Sequence, residues 1–489
     1  MLILQILYIL TTLVLAVYGL NAFVLSFLYG RTRHQKRIVP ALSHFPAVTV
    51  QLPIYNELYV VERLIDAAAR LDWARDKLEI EILDDSDDET TRLAHARAEF
   101  HRKRGVNICV LRRPDRTGFK AGALRYAFGR AQGEFIAVFD ADFVPPADFL
   151  KRTIPFLVAD KRLGAVQTRW GHLNAEYAPL TRAQALALDS HFAVEQSARA
   201  RNDLFLNFNG SAGVWRRECI QASGGWQEDT LSEDLDLSYR AQLEGWQIEF
   251  LPEVVCPAEI PPQLQAFKRQ QARWAEGSTQ VLMKLGLRVL RARASLFKRV
   301  QAVIHLAGYL VQSLFLVYLL TLVPLIAARY AFPALMTVLV GASFGPPLLY
   351  ALAQRELYSD WGTRFRYFPL LLLLGIGLSF NNSIAVGRAL LHRPNTFRRT
   401  PKFSVEQNGD DWNEKKYALP FSWTVVGELA LALYSVCGVV LARQDGQWWA
   451  VGCLSIYALA FGLTAGLTLW QSRSTTRSVW ESVSVRAGE

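Results

Sequence analysis

Cysteine and histidine are too scattered in this chain to build a disulfide framework or a zinc site. The 489 residues include five cysteines, an odd number that never falls in Cys-x-x-Cys spacing, and eight histidines that form no cluster. Disulfide-stapled domains and structural zinc sites need such groupings. The sequence therefore argues against both classes, and its free thiols favour the cytosol.

Glycine-rich phosphate loops are also absent from the sequence. It contains neither Gly-x-Gly-x-x-Gly nor Gly-x-x-x-x-Gly-Lys-[Ser/Thr], the fingerprints of dinucleotide-binding and P-loop domains. There is no internal repeat and no low-complexity tract. A phosphate site in this chain must therefore use other groups.

Charge is missing from several long stretches, and this decides the class of the protein. Residues 2–28 contain no charged side chain and are long enough to cross a bilayer. They lack a basic start and an obvious cleavage site, which indicates an anchor rather than a signal peptide. Residues 47–290 have soluble character, and further apolar stretches then follow at 300–327, 331–353, 367–391, 421–442 and 448–470. The pattern predicts a soluble domain between membrane segments.

Basic residues near the membrane segments predict the orientation. Residues 31–37 (RTRHQKR) follow the first segment directly and place the soluble domain in the cytoplasm. They also explain the net charge of +10 without nucleic acid as a partner. Residues 392–403 are basic too, and they stay cytoplasmic only if residues 367–391 lie in the interface or re-enter. Five spans are expected.

The soluble domain alternates apolar strand patterns with helical ones. Strands are predicted over residues 47–53, 78–83, 106–111 and 133–139, which favours an α/β, Rossmann-like, mostly parallel sheet with helices on both faces. Ligands of such sheets bind beyond the carboxyl ends of the strands. Three of these ends carry the polar clusters YNE, DDSDD and DAD.

Asp140 and Asp142 come directly after the fourth of these strands. Alternate residues of an extended chain face the same side, so the two carboxylates should share one position. Mg²⁺ and Mn²⁺ prefer such carboxylates and commonly bridge them to phosphates. The pair therefore predicts a metal that neutralises a diphosphate, although solvated turn acids would look the same. Residues 84–88 could likewise only cap the next helix.

Seven motifs occur in a fixed order between Tyr55 and Trp274. They are YNE, LDDS, FKAGAL, DAD, FNGSAGVWRR, LSEDLDLSYR and QQARW. In this combination the sequence resembles the processive family-2 glycosyltransferases of the cellulose-synthase superfamily, most of all the cellulose-synthase-like mannan and glucomannan synthases and their bacterial relatives. The resemblance implies a cytosolic GT-A domain inserted between transmembrane helices. The expected divisions are residues 1–30, 31–295, 296–403 and 404–489.

The resemblance also assigns roles to the matching residues. Asp234 resembles the catalytic base, with Glu233 beside it and Asp236 as a rival. The family's Thr-Glu-Asp is Ser232-Glu-Asp here, which leaves both carboxylates intact. A helix cap is the alternative for each acid, an exposed lysine for Lys120, and a membrane anchor for Trp274.

The implied ligand contacts fall into three sets. The donor would be bound by Tyr55, Glu57, Asp85, Lys120, Asp140, Gln270 and Arg273. The acceptor would meet Trp170, Phe208, Asn209, Gly210 and Trp274. The metal, Mg²⁺ or Mn²⁺, would be held by Asp140 and Asp142.

One further match lies beyond the domain. Residues 397–402 resemble the FxVTxK gating loop of cellulose synthases through Phe397, Thr400 and Lys402, with Arg399 in place of valine. The family's loop covers the donor from the cytoplasmic side. An ordinary basic loop beside the membrane is the alternative.

The expected function is that of a membrane-embedded, inverting β-glycosyltransferase, a polysaccharide synthase. It would transfer hexose from UDP-glucose or GDP-mannose to the non-reducing end of a β-glucan, mannan or glucomannan and export the chain. A non-processive enzyme that makes a glycolipid such as glucosylceramide is the alternative. A transporter or receptor with a non-catalytic sugar domain would predict damaged carboxylates, and all are present. An integral protein of a bacterial inner (plasma) membrane, in contact with its lipids, is expected.

Overall fold

The computed structural model describes residues 1–35, 37–333, 339–394, 397–406, 409–413 and 415–486, with side chains up to residue 472. Within that range the soluble part is built on a seven-stranded sheet of order β3-β2-β1-β4-β6-β5-β7. The strands are β1 (Val48–Ile54), β2 (Leu78–Asp84), β3 (Ile108–Leu111), β4 (Phe135–Val138), β5 (Leu163–His172), β6 (Gly213–Arg216) and β7 (Gln247–Ala258).

Strands β1 to β4 run parallel, as the sequence predicts, and so do β5 and β7. Only β6 runs antiparallel to its neighbours, β4 and β5. The sheet is therefore mixed but mostly parallel, and the predicted fold class is confirmed. Strands β1 and β2 each contain four Val, Ile or Leu residues and are buried over nearly their whole length, because parallel strands are covered on both faces.

The helices in the described part of the chain are α1 (Leu2–Thr32), α2 (Val61–Ala69), α3 (Thr90–Arg102), α4 (Phe119–Phe128), α5 (Phe149–Ala159), α6 (Pro179–Asp189), α7 (Ser197–Arg201), α8 (Arg217–Ala222), α9 (Glu233–Leu243), α10 (Leu264–Leu290), α11 (Leu296–Leu306), α12 (Leu310–Ala327), α13 (Gly345–Leu357), α14 (Trp361–Phe365), α15 (Phe368–Gly377), α16 (Ser379–Leu390), α17 (Thr424–Gln444) and α18 (Trp448–Arg486). Residues 75–77 and 340–344 form 3₁₀ turns, and residues 190–196 form a π-helix.

Two apolar cores flank the sheet. Phe135 and Ala137 of β4 join the core that contains α2, α3 and α5. Ile136 and Val138 point the other way, into the core that contains α4, α8 and α9. This alternation follows from the two-residue period of a strand and confirms helices on both faces.

Four helices are long and apolar enough to cross a membrane: Leu2–Thr32, Leu310–Ala327, Thr424–Gln444 and Trp448–Ser472. The span expected over residues 331–353 is not among them in the described part of the chain. There α13 has 13 residues and starts at Gly345, with prolines in its first turn. Proline lacks the N–H that would continue the preceding helix, so these residues begin a new one. Residues 334–338 lie outside the described part.

The segment expected to re-enter, residues 367–391, is covered by α15, α16 and their flanking residues. The two stretches Trp361–Gly377 and Ser379–Leu390 are bent by 42° at the break between them. Both a broken span and a re-entrant segment have this geometry, and re-entry stays a prediction.

Helix α10, which carries the QQARW motif, is anchored to α17 and α18 by buried polar contacts. Lys268 Nζ lies 2.6 Å from Glu428 Oε1 and 2.8 Å from Thr468 Oγ1. The Lys268 and Glu428 side chains are only 2% and 0% exposed. At the helix start, the backbone N–H of Leu264 donates to Gln471 Oε1 at 2.8 Å. These contacts fix the position of α10 against the apolar helices.

Replacing Glu428 by alanine should destabilise the protein strongly, because it leaves the Lys268 charge buried without its carboxylate. A loss of about 3–5 kcal/mol is expected from such a change, and thermal unfolding in detergent would show it as a lower Tm. Lys268→Met/Glu428→Leu should recover most of the loss. Glu356→Ala, which removes the exposed partner of Arg33, is the control, and equal Tm values for the two alanine variants would contradict the prediction.

Candidate active site

A cleft opens beyond the carboxyl ends of β1, β2 and β4. All the predicted donor-binding residues except Gln270 line it, and Asp142 lines it too. Gln270 lies on α10, half-buried, one turn before Arg273. The lining also includes residues that the sequence analysis did not single out or had placed in a distant loop: Arg116, Phe397, Arg399, Thr400 and Lys402.

Lys120, the second residue of α4, lies among acidic side chains. Its Nζ is 2.6 Å from Asp140 Oδ1 and 3.5 Å from Glu233 Oε1, and it donates to the carbonyl of Gly210 at 2.8 Å. Burial disfavours the ammonium, but the surrounding carboxylates outweigh burial and raise the pKa of Lys120. The side chain is 17% exposed, so the alternative of an ordinary exposed lysine is wrong. Lys120 offers a permanent positive charge to the cleft.

Asp140 and Asp142 are each paired with a lysine. Asp140 faces Lys120, and Lys402 Nζ lies 2.5 Å from Asp142 Oδ2. Burial raises the pKa of Asp140, and the nearby Asp142 adds to this against the effect of Lys120. The expectation of positive charge beside this carboxylate pair therefore holds, although both cations are supplied by the protein.

These two aspartates fit a metal that shares its coordination with a ligand. Mg²⁺ and Mn²⁺ commonly take one or two carboxylates and fill the remaining positions with phosphate and water oxygens. The Asp140 side chain is 34% exposed to the cleft. Across the described residues, no group of three or more His, Cys, Asp or Glu could hold a metal alone. The donor set therefore suits a metal bound jointly with a diphosphate.

Asp234 lies in the first turn of α9, where its Oδ1 accepts from the backbone N–H of Leu235 at 2.8 Å. Burial, reinforced by Glu233, raises the pKa of Asp234 to about 7 against the effect of Lys120. Gly210 packs directly on it: a Cβ there would lie 2.8 Å from Asp234 Oδ2, and its φ is +81°. Only glycine fits this position. Asp234 is thus a carboxylate tuned for proton transfer near neutral pH.

Asp236, the rival base, has a structural role. It is fully buried and paired with Arg240 at 2.6 Å and Lys284 at 2.9 Å. Glu233 points to Lys120 instead. The geometry therefore leaves Asp234 as the better placed of the three acids.

Arginines that the sequence analysis missed shape the far end of the cleft. Arg113 holds Asp85 in a two-pronged contact of 2.8 and 2.6 Å. The guanidinium of Arg116 lies 3.3 Å from the centre of the Tyr55 ring. Both arginines lie shortly before the FKAGAL motif. This position was the sequence signal that could have identified them as residues of the site. Asp88 accepts from the N–H of Thr90 at 2.9 Å, which confirms its capping alternative.

Residues 397–402 close one side of the cleft. Phe397 stacks on Phe119 with ring centres 5.4 Å apart, and Lys402 contacts Asp142 as described. Arg399, at the family's valine position, pairs with Glu57 at 3.0 Å. Burial raises the pKa of Glu57 to about 7, although Arg399 and Lys402 oppose it. The arginine at the family's valine position therefore has a buried acid, Glu57, as its partner.

The predicted acceptor residues differ in their burial and in what they contact. Phe208 is fully buried and packs on Trp215 with ring centres 5.1 Å apart. The prediction that its side chain contacts the acceptor directly is therefore wrong. Trp170 packs between Phe143 and Phe192. Gly210 packs on Asp234 and its carbonyl accepts from Lys120, Asn209 precedes it in the chain and is partly exposed, and Trp274 lies half-buried on α10.

Comparisons with known proteins agree with this geometry. Residues 46–277 match the family model described as glycosyltransferase like family 2. The chain is 44% identical over 255 residues to a probable glucomannan 4-beta-mannosyltransferase 6 of Oryza sativa subsp. japonica, covering 51% of this chain and 44% of the relative. It is 39% identical over 267 residues to glucomannan 4-beta-mannosyltransferase 2 of Arabidopsis thaliana, covering 54% and 50%.

The chain thus spans about half the length of the curated relatives it matches. These relatives are plant proteins, so the expectation of a bacterial inner membrane gains no support from them. Among solved structures, a mannosyltransferase from Pyrobaculum calidifontis in complex with GDP-Man and Mn²⁺ aligns with a TM-score of 0.55 at 22% identity. The alignment covers 79% of this chain and 100% of that one. This likeness shows the fold.

Replacing Lys402 by methionine should strengthen Mn²⁺ binding, because the ammonium competes with a metal for Asp142. A dissociation constant lower by about tenfold, equivalent to 1.4 kcal/mol, is expected. Titration of free Mn²⁺ followed by electron paramagnetic resonance, without nucleotide, would measure it. Lys416→Met, at an exposed position, should change nothing, and unchanged or weaker binding in the Lys402 variant would contradict the prediction.

Proposed function

We propose, because residues 46–277 match the model of glycosyltransferase like family 2, that this chain transfers a hexose with inversion from a nucleotide sugar to the non-reducing end of a growing β-linked polysaccharide. One observation carries the proposal. Asp234, with a pKa raised to about 7, lies beside Lys120, since a Cβ on Gly210 would be 2.8 Å from Asp234 Oδ2 and 3.4 Å from Lys120 Nζ, and Lys120 and Arg273 line the cleft. A base and phosphate-binding cations thus meet at one place.

The donor diphosphate would occupy the cleft between α4 and α10. Lys120 is held there with its ammonium charged, and Arg273 reaches in from α10. The Nε of Arg273 has no hydrogen-bond partner among the described residues, so it can donate to a phosphate oxygen. A divalent cation held by Asp140 and Asp142 would supply further positive charge to the leaving diphosphate.

Asp234 would act on the acceptor. As the acceptor hydroxyl oxygen bonds to the anomeric carbon, Asp234 takes its proton, and the bond from that carbon to the diphosphate breaks on the opposite side. This one-step displacement inverts the anomeric centre. Tyr55 and Arg116 offer a stacked, flat surface at the far end of the cleft that suits a nucleotide base.

GDP-mannose is the proposed donor, and mannan or glucomannan the proposed product. The similarity to glucomannan mannosyltransferases supports this choice over UDP-glucose. The apolar helices on both sides of the domain would hold it at the cytoplasmic face of a membrane, with the growing chain exported between them.

The full chain, purified in detergent, would test the proposal with labelled GDP-mannose and UDP-glucose and with Mn²⁺ or Mg²⁺. We expect high-mass product from GDP-mannose that β-mannanase digests. Label confined to a single-sugar lipid would favour the glycolipid enzyme instead. No incorporation from either donor would overturn the proposal.

Asp234→Asn should abolish transfer but keep donor binding, because it removes the base without changing the size of the side chain. We expect a loss of about 10²–10⁴ in rate and an affinity for GDP within about twofold of wild type, since GDP makes its contacts elsewhere. Asp76→Asn, at an exposed position, is the control. More than a tenth of the activity in the Asp234 variant would contradict the assignment.

The same base predicts the pH dependence of transfer. Only the ionised carboxylate can accept a proton, and burial raises the pKa of Asp234 to about 7. Activity should therefore rise from pH 5 to pH 8, with its midpoint near neutrality rather than near the usual range of aspartate. Initial rates at saturating donor would show this, and a midpoint below about pH 5 would argue against Asp234.

A further inference from the structure

A π-helical turn interrupts the helical stretch from α6 to α7, next to the acceptor side of the cleft. Residues 190–196 (SHFAVEQ) form the turn. It contains neither proline nor glycine, the residues that most often distort a helix. π-helical turns are rare and occur frequently at functional sites. We therefore looked for what its side chains contact.

His191 of this turn lies between a carboxylate and an amide. Its Nδ1 is 3.1 Å from Glu195 Oε2, and its Nε2 is 3.0 Å from Asn209 Oδ1. Both partners present an oxygen acceptor to the ring, so a ring nitrogen that carries a hydrogen can donate to its partner. Arg199 Nε donates to the other oxygen of Glu195 at 3.1 Å, and Arg199 is almost fully buried. Glu195 is thus held firmly, and it holds His191.

Asn209 receives the other end of this chain of contacts. Its Oδ1 accepts from His191 and also from Asn207 Nδ2 at 2.8 Å. Its backbone N–H donates to Gln167 Oε1 at 2.8 Å. Its Nδ2, in contrast, has only a 3.5 Å contact with the carbonyl of Asn207. The amide oxygen is fully used, and the amide nitrogen is left able to donate to a ligand.

The orientation of the Asn209 amide matters because the next residue in the chain contacts the proposed base. Gly210 follows Asn209 and packs directly against Asp234, the proposed base. Asn209 is therefore one residue from the contact with Asp234. The Asn209 and His191 side chains are both partly exposed, as a contact with an entering sugar requires.

Aromatic side chains complete the surroundings. Tyr309, just before α12, and Tyr350, on α13, are both partly exposed. Both phenols lie within electrostatic range of Glu195, and Tyr309 also lies within range of Arg273. Flat rings of this kind offer apolar surface to a sugar.

We propose that His191 is a positioning residue for the acceptor: held by Glu195, it fixes the Asn209 amide so that Nδ2 donates to a hydroxyl of the acceptor's terminal sugar beside Asp234. The inference rests on the proposed function and adds a residue to its acceptor side. The ligand class is a neutral polyhydroxyl chain end, since the group contains one amide donor and no cluster of cations for phosphate.

Kinetics with separate donor and acceptor terms would test this. Wild type, His191→Ala, His191→Gln and the exposed control His95→Ala would elongate reducing-end-labelled β-1,4-manno-oligosaccharides with GDP-mannose. For His191→Ala we expect an acceptor KM raised about tenfold, roughly the most that one lost hydrogen bond between neutral groups contributes, and an unchanged donor KM. His191→Gln should restore most of the affinity because its amide can still donate to Asn209.

A double variant separates positioning from a general loss of structure. If His191 acts through Asn209, His191→Ala/Asn209→Ala should be no worse than Asn209→Ala alone. Additive losses, equal rises in donor and acceptor KM, or an unchanged acceptor KM in His191→Ala would each overturn the inference. A wild-type protein that neither binds nor elongates the oligosaccharides would overturn the proposed function, and this inference with it. Saturation-transfer NMR with GDP present measures that binding without turnover.

Discussion

The ion pair between Lys120 and Asp140 is the contact on which the rest of the cleft depends. It brings the start of α4 to the end of β4 and places one positive charge among several carboxylates. Without that charge, Asp140, Glu233 and Asp234 would repel one another in a site that excludes water. Because the ammonium also bonds to the Gly210 carbonyl, the same residue joins the donor side to the loop that faces the acceptor.

The remaining positive charge comes from a distant part of the sequence. Arg399 and Lys402 follow the membrane-associated helices, yet they neutralise Glu57 and Asp142 inside the cleft. The contact between Lys402 and Asp142 joins residues 260 positions apart. A nucleotide diphosphate and a divalent cation bring their own charges, so their arrival must redistribute these pairs. The ion pairs of the cleft are therefore expected to change when the nucleotide and the cation bind.

Much of this could be predicted from the sequence. The strands β1 and β2 alternate apolar and polar residues, β4 is an apolar run, and acids follow all three, so the signals are local. Motif order then brought Asp234, Lys120 and Arg273 to one site. Other features depend on contacts that no local pattern contains. The ion pairs of Asp236 with Arg240 and Lys284, and the burial of Phe208, follow from packing. Pro346 and Pro347 lie in the first turn of α13, and the span over residues 331–353 stays a prediction because part of it lies outside the described residues.

The hydrogen bonds between His191, Glu195 and Asn209 were equally hidden, because neither the π-helical turn nor its partner loop has a sequence signature. The sequence therefore predicted the reacting side chains better than the side chains that hold them in position. What it could not show is which side chains hold the reacting ones in place.

The buried pair between Lys268 and Glu428 has a consequence for how the protein is made. Ribosomes release residues 46–277 long before Glu428 and Thr468 exist, so α10 emerges with a lysine whose partners are still to be synthesised. The buried contacts at the start of the helix that carries Arg273 can therefore form only after α17 and α18 have been synthesised.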